Sequence, residues 1–334
     1  MWSDSSNSSL RLVFKKSEIR IHSEDRGLLA ALREDFFHFL PSSPEPTEAL
    51  VPRDSFKYSH SVKVFAGGGE ERKTAEFPWS GRPRPGTAFP FQRGFFWGWG
   101  RRRFVSYFDG SLLELESSKA SRKEMKFWGR DAEALKPLVS LMIQALWGED
   151  LEREGCTRFH ALAYGKEGVA GLVCADSGLG KSTTALRMLK ENKAVVLSDE
   201  IGWVKDRGIE SYPLPVWEKG GDGTKKGHRL PPESLKRRLA LKEIFCVFRR
   251  DEVPYESPLA LRLLFLFKIV EGRHLPQMTE FLLRGNNLFF LAGLFFARLR
   301  RGFSYAFLTK VRFLRTERFL SWEELVSESD ILGT

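Results

Sequence analysis

The run Cys174-Ala-Asp-Ser-Gly-Leu-Gly-Lys-Ser-Thr183 restricts this chain more than any other feature of its sequence. It joins an apolar segment of strand character, 169–174, to a segment with helical spacing, 181–190. Phosphate oxygens need several donors converging in a small space. Gly178 and Gly180 let the backbone turn so that successive N–H groups, from Ser177 and Leu179 through to Thr183, point inward. Lys181 adds a positive point charge, expected to face a solvent-filled loop. Ser182 offers a hydroxyl of the kind that ligates Mg²⁺, and the helix that begins here aims its positive end at the same space. One position departs from the usual phosphate-loop pattern: Ala175 stands where the first glycine is expected.

The next apolar segment, 194–198, ends in Leu197-Ser-Asp-Glu200. Strand, glycine turn, helix and strand together make the α/β unit of a nucleotide-binding domain. Two adjacent acids at the carboxyl end of that second strand would lie opposite the phosphate loop. One can hold Mg²⁺ directly or through water while the other accepts a proton from a hydroxyl, and the residues alone leave open which of Asp199 and Glu200 does which. A second acid, Asp251, follows the apolar segment 244–248 and would suit the metal-binding strand of an ordinary ATPase, but Arg249 and Arg250 intervene.

Other chemistry-bearing residues carry less on their own. His160, in Phe-His-Ala-Leu-Ala, lies in an apolar strand, where a histidine is more often structural than catalytic. Lys219, in Tyr-Pro-Leu-Pro-Val-Trp-Glu-Lys-Gly, would alone be a solvated lysine. Lys225, Lys226 and Arg229, and likewise Arg298, Arg300 and Arg301, read as surface charge runs. The Trp and Phe residues of 94–104 read as core or hairpin packing beside the arginines 101–103.

With 334 residues the chain is long enough for two domains. Apolar residues at 42% and charged residues at 29% give a globular balance and argue against wholesale disorder. Residues 1–150 read as a smaller α+β module. Strands are expected at 10–14 and 18–21, with Ser23 capping a helix through Leu28, Leu32, Phe36 and Phe39. A hairpin is expected around Asp109-Gly110, and a helix that Asp131 starts and Gly148 stops. Residues 151–334 read as the nucleotide-binding domain, with a basic loop at 224–229 and apolar helices between 259 and 298. Three cysteines without a CxxC spacing fit a reducing, cytoplasmic compartment rather than a disulfide framework or a zinc site. The sequence has no signal peptide pattern, and its most apolar stretch, 288–297, falls short of the roughly 20 residues of a membrane span. The excess of 53 Lys and Arg over 43 Asp and Glu, a net charge of +10, selects no partner class by itself. A nucleic-acid role would rest on that charge alone and is not expected, while a homo-oligomer stays open.

Taken in order, His160, the strand through Cys174, Ser-Gly-Leu-Gly-Lys-Ser-Thr and Leu-Ser-Asp-Glu resemble the C-terminal domain of HPr kinase/phosphorylase. They are more similar still to its relatives, the HPr kinase-related proteins of biosynthetic gene clusters. Pro213 or Pro215 with Lys219 resembles a further proline-then-lysine element of those relatives. The resemblance covers about 157–220 well and the rest by architecture only. It implies an α/β fold, a PEP carboxykinase-like P-loop domain after a smaller N-terminal α+β domain. It also implies ATP and Mg²⁺ as cofactors, and phosphoryl transfer to a hydroxyl, chiefly serine, of a protein, a peptide or a small molecule. By analogy the loop residues 177–183, Lys181 above all, and Lys219 bind the nucleotide. Asp199 is the catalytic acid–base group, Glu200 its metal-side neighbour with Ser182, and His160 lines the phosphate site. Glu200 in place of an aspartate, Ala175, and the lack of a downstream signature for the HPr protein separate the chain from the bifunctional enzyme. Two other classes stay open, a non-catalytic ATP-binding regulatory protein and a P-loop ATPase or small-molecule carboxykinase.

Overall fold

Alternation of apolar and polar side chains sets the first strands. In β1 (Ser9–Phe14) residues Leu10, Leu12 and Phe14 are buried, and in β2 (Ser17–Ser23) so are Ile19 and Ile21, one face of each strand turning to a core. A computed structural model of the chain describes residues 8–41, 56–67, 88–91, 94–99, 102–119, 121–176, 178–192, 194–219, 225–231, 234, 238–249, 257–271, 288–316 and 321–332. It is a mixed α/β protein whose larger sheets contain both parallel and antiparallel pairs. Two compact units divide it, one holding Met1–Asp150 and the other Leu151–His274 with Phe289–Thr334; the residues between those two segments lie outside the described set, apart from Leu288.

The first unit is built on one sheet. Its strand order is β1, β2, β3 (Tyr58–Ala66), β8 (Arg122–Gly129), β7 (Leu112–Lys119), β6 (Arg102–Tyr107), β5 (Gly94–Trp99) and β4 (Ala88–Phe91). Helix α1 (Arg26–Asp35) is capped by Asp25, whose carboxylate accepts from the Leu28 amide, rather than by Ser23, whose hydroxyl instead accepts from the Asp25 amide. The hairpin at Asp109-Gly110 forms as expected, but only Gly110 has a positive φ, at 84°. Asp109 works through its side chain, which accepts from the Ser111 amide.

Helix α2 (Ala132–Arg153) starts at Asp131, which accepts from the Ala134 amide, but it runs through Gly148 instead of stopping there. The cause lies in the turns that follow. Glu149 forms a buried ion pair with Lys123, and Asp150 accepts from the Ser17 hydroxyl at 2.6 Å and lies 3.0 Å from His60 Nε2. These anchors outweigh the roughly 1 kcal/mol that a mid-helix glycine costs. Trp147 on the same helix packs among Phe14, Phe36 and Phe39.

The second unit is where the glycine loop sits. β9 (Thr157–Lys166) and β10 (Val169–Ala175) form an antiparallel pair of nearly continuous apolar residues, the pattern of strands covered on both faces. β10 runs parallel to β16 (Leu239–Arg249), which runs parallel to β17 (Val311–Thr316). β11 (Val195–Ser198) and β12 (Ile201–Lys205) both pair antiparallel with β9; β12 pairs with β13 (Gly208–Glu210), and β13 returns to β16. The pairings β10–β16–β13–β12–β9–β10 thus form a closed ring. β10 and β11 point the same way, with β9 between them, and α3 (Lys181–Glu191) makes the crossover.

Two apolar clusters cover the sheet. One holds Phe159, Leu172, Cys246 and residues of α4 (Pro258–Glu271) and α5 (Leu288–Leu308). The other holds Val173, Ala175, Ala185 and Met188 under α3, together with Trp322 and Leu325 of α6 (Trp322–Glu328). The segment expected as a basic loop contains β15 (Lys225–His228), paired with β14 (Val216–Lys219), and His228 Nε2 lies 2.7 Å from Glu218. Among the described residues no helix is long and apolar enough to cross a membrane.

Candidate functional site

The end of β10 explains the alanine at the first glycine position. Ala175 is still a strand residue, paired with Val247 and buried in the cluster beneath α3, so it needs no positive φ and its methyl has a place. The turn is made further on, by Gly178 at φ 86° and Gly180 at φ 89°, conformations that cost an L-residue about 1–2 kcal/mol. Gly180 is the residue that precedes α3, and the space above Gly178 is open, with no atom within 4 Å of where a β-carbon would stand. Leu179 donates its amide to the Asp176 carbonyl at 3.3 Å.

Lys181 does not face solvent. It is 7% exposed, and its ammonium folds back to donate to the carbonyls of Ala175 at 2.6 Å and Asp176 at 3.1 Å, so that in this state it ties the loop together. Burial pulls its pKa down, while Asp199, Cys174, Asp176 and Glu200 oppose the shift.

The acidic pair sits at an interruption of one long edge. β11 and β12 follow each other along β9 with Asp199-Glu200 between them, and the register slips by one residue between Val196 and Ser198. Such a bulge re-aims side chains. The Glu200 carbonyl still accepts from the Ala161 amide at 3.2 Å, which keeps the backbone on β9. Asp199 is buried and Glu200 exposed. Burial raises the Asp199 pKa to about 6; the Ser182 hydroxyl donating to the carboxylate and the charge of Lys181 pull it down, and the neighbouring Glu200 pushes it up. Oδ1 of Asp199 has no hydrogen-bond partner among the described residues.

The structure therefore brings Lys181, Ser182, Asp199 and Glu200 to one place. His160 joins them through the backbone: Nδ1–H donates to the Glu200 carbonyl at 3.1 Å, which fixes its tautomer. Its ring also lines a cavity of about 50 Å³ with Arg158, Cys174, Asp176, Phe265 and Lys268. Ser177, the side chain of Lys219 and Asp251 lie outside the described residues.

Lys268, which no sequence pattern singles out, also reaches this loop. It lies on α4, donates to Asp176 Oδ2 at 2.7 Å, and places its ammonium 4.6 Å from the centroid of the Phe248 ring. Its one sequence signal is a lone lysine inside the apolar run Leu-Leu-Phe-Leu-Phe-Lys-Ile-Val. Cys174, opposite Cys246 in the β10–β16 register, has its thiol pushed up to about 12 by burial and is not a nucleophile at neutral pH. The charge run Arg298, Arg300, Arg301 is only partly a surface feature. Arg298 pairs with Glu152 at 2.9 Å and Arg301 donates to the Cys156 carbonyl, leaving Arg300 exposed.

The donor set suits a phosphate chain with a hard cation. The loop holds one ammonium, on Lys181, and beside it a hydroxyl, Ser182, and two carboxylates, Asp199 and Glu200, oxygen groups of the kind that ligate Mg²⁺. Among the described residues no group of three or more His, Cys, Asp or Glu could hold a metal ion. Mg²⁺ needs no such cage when it is shared with phosphates. No family model matches the sequence, and no curated protein matches it.

Proposed function

We propose that the chain is an ATP- and Mg²⁺-dependent kinase of the HPr kinase-related type, with a PEP carboxykinase-like P-loop domain, that transfers the γ-phosphoryl group to a hydroxyl. The observation that carries this reading is Asp199. Its buried carboxylate, with a pKa near 6 and a free Oδ1, stands beside the serine and lysine of a glycine loop. A base with that pKa is ionised at neutral pH and still accepts a proton readily.

In the proposed reaction the acceptor oxygen bonds to the γ-phosphorus, the bond to the bridging oxygen of ADP breaks, and the acceptor proton passes to Asp199. Phosphoryl transfer asks the protein for alignment and charge neutralisation more than for covalent chemistry. Lys181 would leave the Ala175 and Asp176 carbonyls for the phosphates. Ser182 would turn from Asp199 to the metal, with Glu200 on the metal side. Bound Mg²⁺ would neutralise phosphate charge. His160 would line the phosphate site, its ring held by the Glu200 carbonyl.

The test is transfer of labelled phosphate from Mg·ATP to serine peptides, small hydroxyl compounds and water, by wild type and by Asp199→Asn. The substitution is expected to lower transfer by about 10²- to 10⁴-fold while ATP still binds. Transfer by Asp199→Asn at the wild-type rate would remove the mechanism. Label released only to water would mark an ATPase, and binding without turnover a regulatory nucleotide-binding protein.

A further inference from the structure

An extra residue in β11 settles which of the two neighbouring acids faces the glycine loop. Val195 and Val196 stand opposite Gly165 and Tyr164 of β9, but Ser198 stands opposite Ala163 and Ile201 opposite His160. Leu197 is the residue left over. Beyond it the pairing runs on in the shifted register. Asp199 therefore falls opposite Leu162, and Glu200 opposite Ala161, whose amide donates to the Glu200 carbonyl at 3.2 Å. Residues directly opposite each other in an antiparallel pair share a face of the sheet. Leu162 belongs to the apolar cluster under α3, and Ala161 to the cluster that α4 and α5 cover. Asp199 is thereby turned to the face that carries Lys181 and Ser182, and Glu200 to the other. Without the slip, Asp199 would stand opposite Ala161 and Glu200 opposite His160, and the two acids would exchange faces.

Two features hold the slip in place. On β12, Gly202 stands opposite Phe159 and comes close against Leu172: a β-carbon there would lie 2.6 Å from the Leu172 side chain. In the unslipped register Ile201 would take that position, where even a β-carbon meets Leu172. On β11, the last strand at this end of the sheet, the extra residue is held by the segment that follows β13. The Leu197 carbonyl accepts from the Tyr212 amide at 3.1 Å and from the Ser211 hydroxyl at 3.3 Å, and that buried hydroxyl also donates to the Ser234 carbonyl. The Tyr212 bond comes from the backbone; the Ser211 bond is the one that a side chain supplies.

We propose that Ser211 is a positioning residue: by gripping the extra residue of β11 it keeps Asp199, and not Glu200, on the face of the glycine loop. The proposal rests on the role read for Asp199 above and deepens it by naming what aims that carboxylate.

The test is a cycle of substitutions at pH 7.5, read by thermal melting of the whole chain. Asp199→Asn relieves a buried charge and is expected to raise the melting temperature of the wild type. In a Ser211→Ala background that gain should fall by about half or more, because the carboxylate leaves its buried place. Glu200→Gln, nearly silent in the wild type, should become stabilising in the same background. Ser211→Thr, which keeps the hydroxyl, should keep the full gain. Ser211→Cys, of similar volume and with a weaker donor, replaces Ser211→Ala if that variant does not fold. A serine that served stability alone would lower every melting temperature and leave the Asp199→Asn gain intact, and that result overturns the proposal. So does a wild type in which Asp199→Asn brings no gain, since no buried charge would then be held in place. The cycle needs neither nucleotide nor acceptor. A protein that transfers no phosphate but shows the expected cycle would lose the kinase reading and keep this one. Where transfer is measured, Ser211→Ala should lower kcat by about tenfold with the KM for Mg·ATP unchanged, and an unchanged kcat would contradict the proposal.

Discussion

Asp199 is a carboxylate held where its charge is costly. Its folded pKa, near 6, lies above the ordinary value of 3.8 because burial outweighs Ser182 and Lys181. The folded chain therefore keeps a proton that the unfolded chain has lost between about pH 4 and pH 6. Stability falls as pH rises through that window, and above it the folded state bears a penalty of about 1–3 kcal/mol. Asp199→Asn removes the penalty. Its melting temperature should exceed that of wild type at pH 7.5, with the gain shrinking towards pH 4 in melts recorded across that range. A buried carboxylate kept at a cost in stability fits the role proposed for Asp199. Lys268 gives a second residue-scale expectation. In the proposed nucleotide site a loop carboxylate would repel phosphates, and Lys268 pairs with Asp176 at 2.7 Å. Lys268→Met should weaken Mg·ATP binding by about tenfold, the scale of losing one charge-assisted hydrogen bond. Adding Asp176→Asn should restore most of that affinity. Calorimetric titration of both variants decides the matter, and a double variant as weak as Lys268→Met alone would count against charge compensation.

At the scale of elements, close approach explains where glycine cannot be replaced. A β-carbon on Gly171 of β10 would meet the Tyr164 ring at 2.4 Å. That ring cannot yield, because its hydroxyl donates to the fully buried Glu243, which Ser329 also holds. Gly171→Ala should destabilise the chain by about 1–3 kcal/mol, measured by denaturant unfolding. Local patterns made much of this fold readable in advance. The strands around the glycine loop, the Asp109-Gly110 hairpin and the start of α2 at Asp131 each depend on neighbours in sequence. What depended on distant partners was not readable. Gly148 looks like a helix stop until Glu149 and Asp150 find Lys123, Ser17 and His60. The ring of β10, β16, β13, β12 and β9 is a matter of register between segments far apart. The proximity of Lys181, Ser182 and the acids could be read from spacing, whereas Lys268 reaches Asp176 across 92 residues. The inward fold of Lys181 could not be read either, since it arises from two carbonyls that the sequence does not orient.

For the molecule as a whole, the proposed function requires a phosphate-directed nucleotide site in the second unit. A ligand that binds only the folded state stabilises it by about 2.7 kcal/mol at a hundred times its Kd. On the proposed function, Mg·ATP and Mg·ADP should therefore raise the melting temperature by several degrees and adenosine by much less, because the loop would engage the phosphates and not the base. The most direct measurement is calorimetric titration of Mg·ATP into wild type and into Lys181→Met, each shown to be folded by circular dichroism. Wild type should bind, and the variant, which keeps the buried stem but loses the ammonium, should show no binding or a Kd raised at least about a hundredfold, as for loss of a charged hydrogen-bonding group. Equal affinities in the two folded proteins would contradict the assignment of this loop as the nucleotide site.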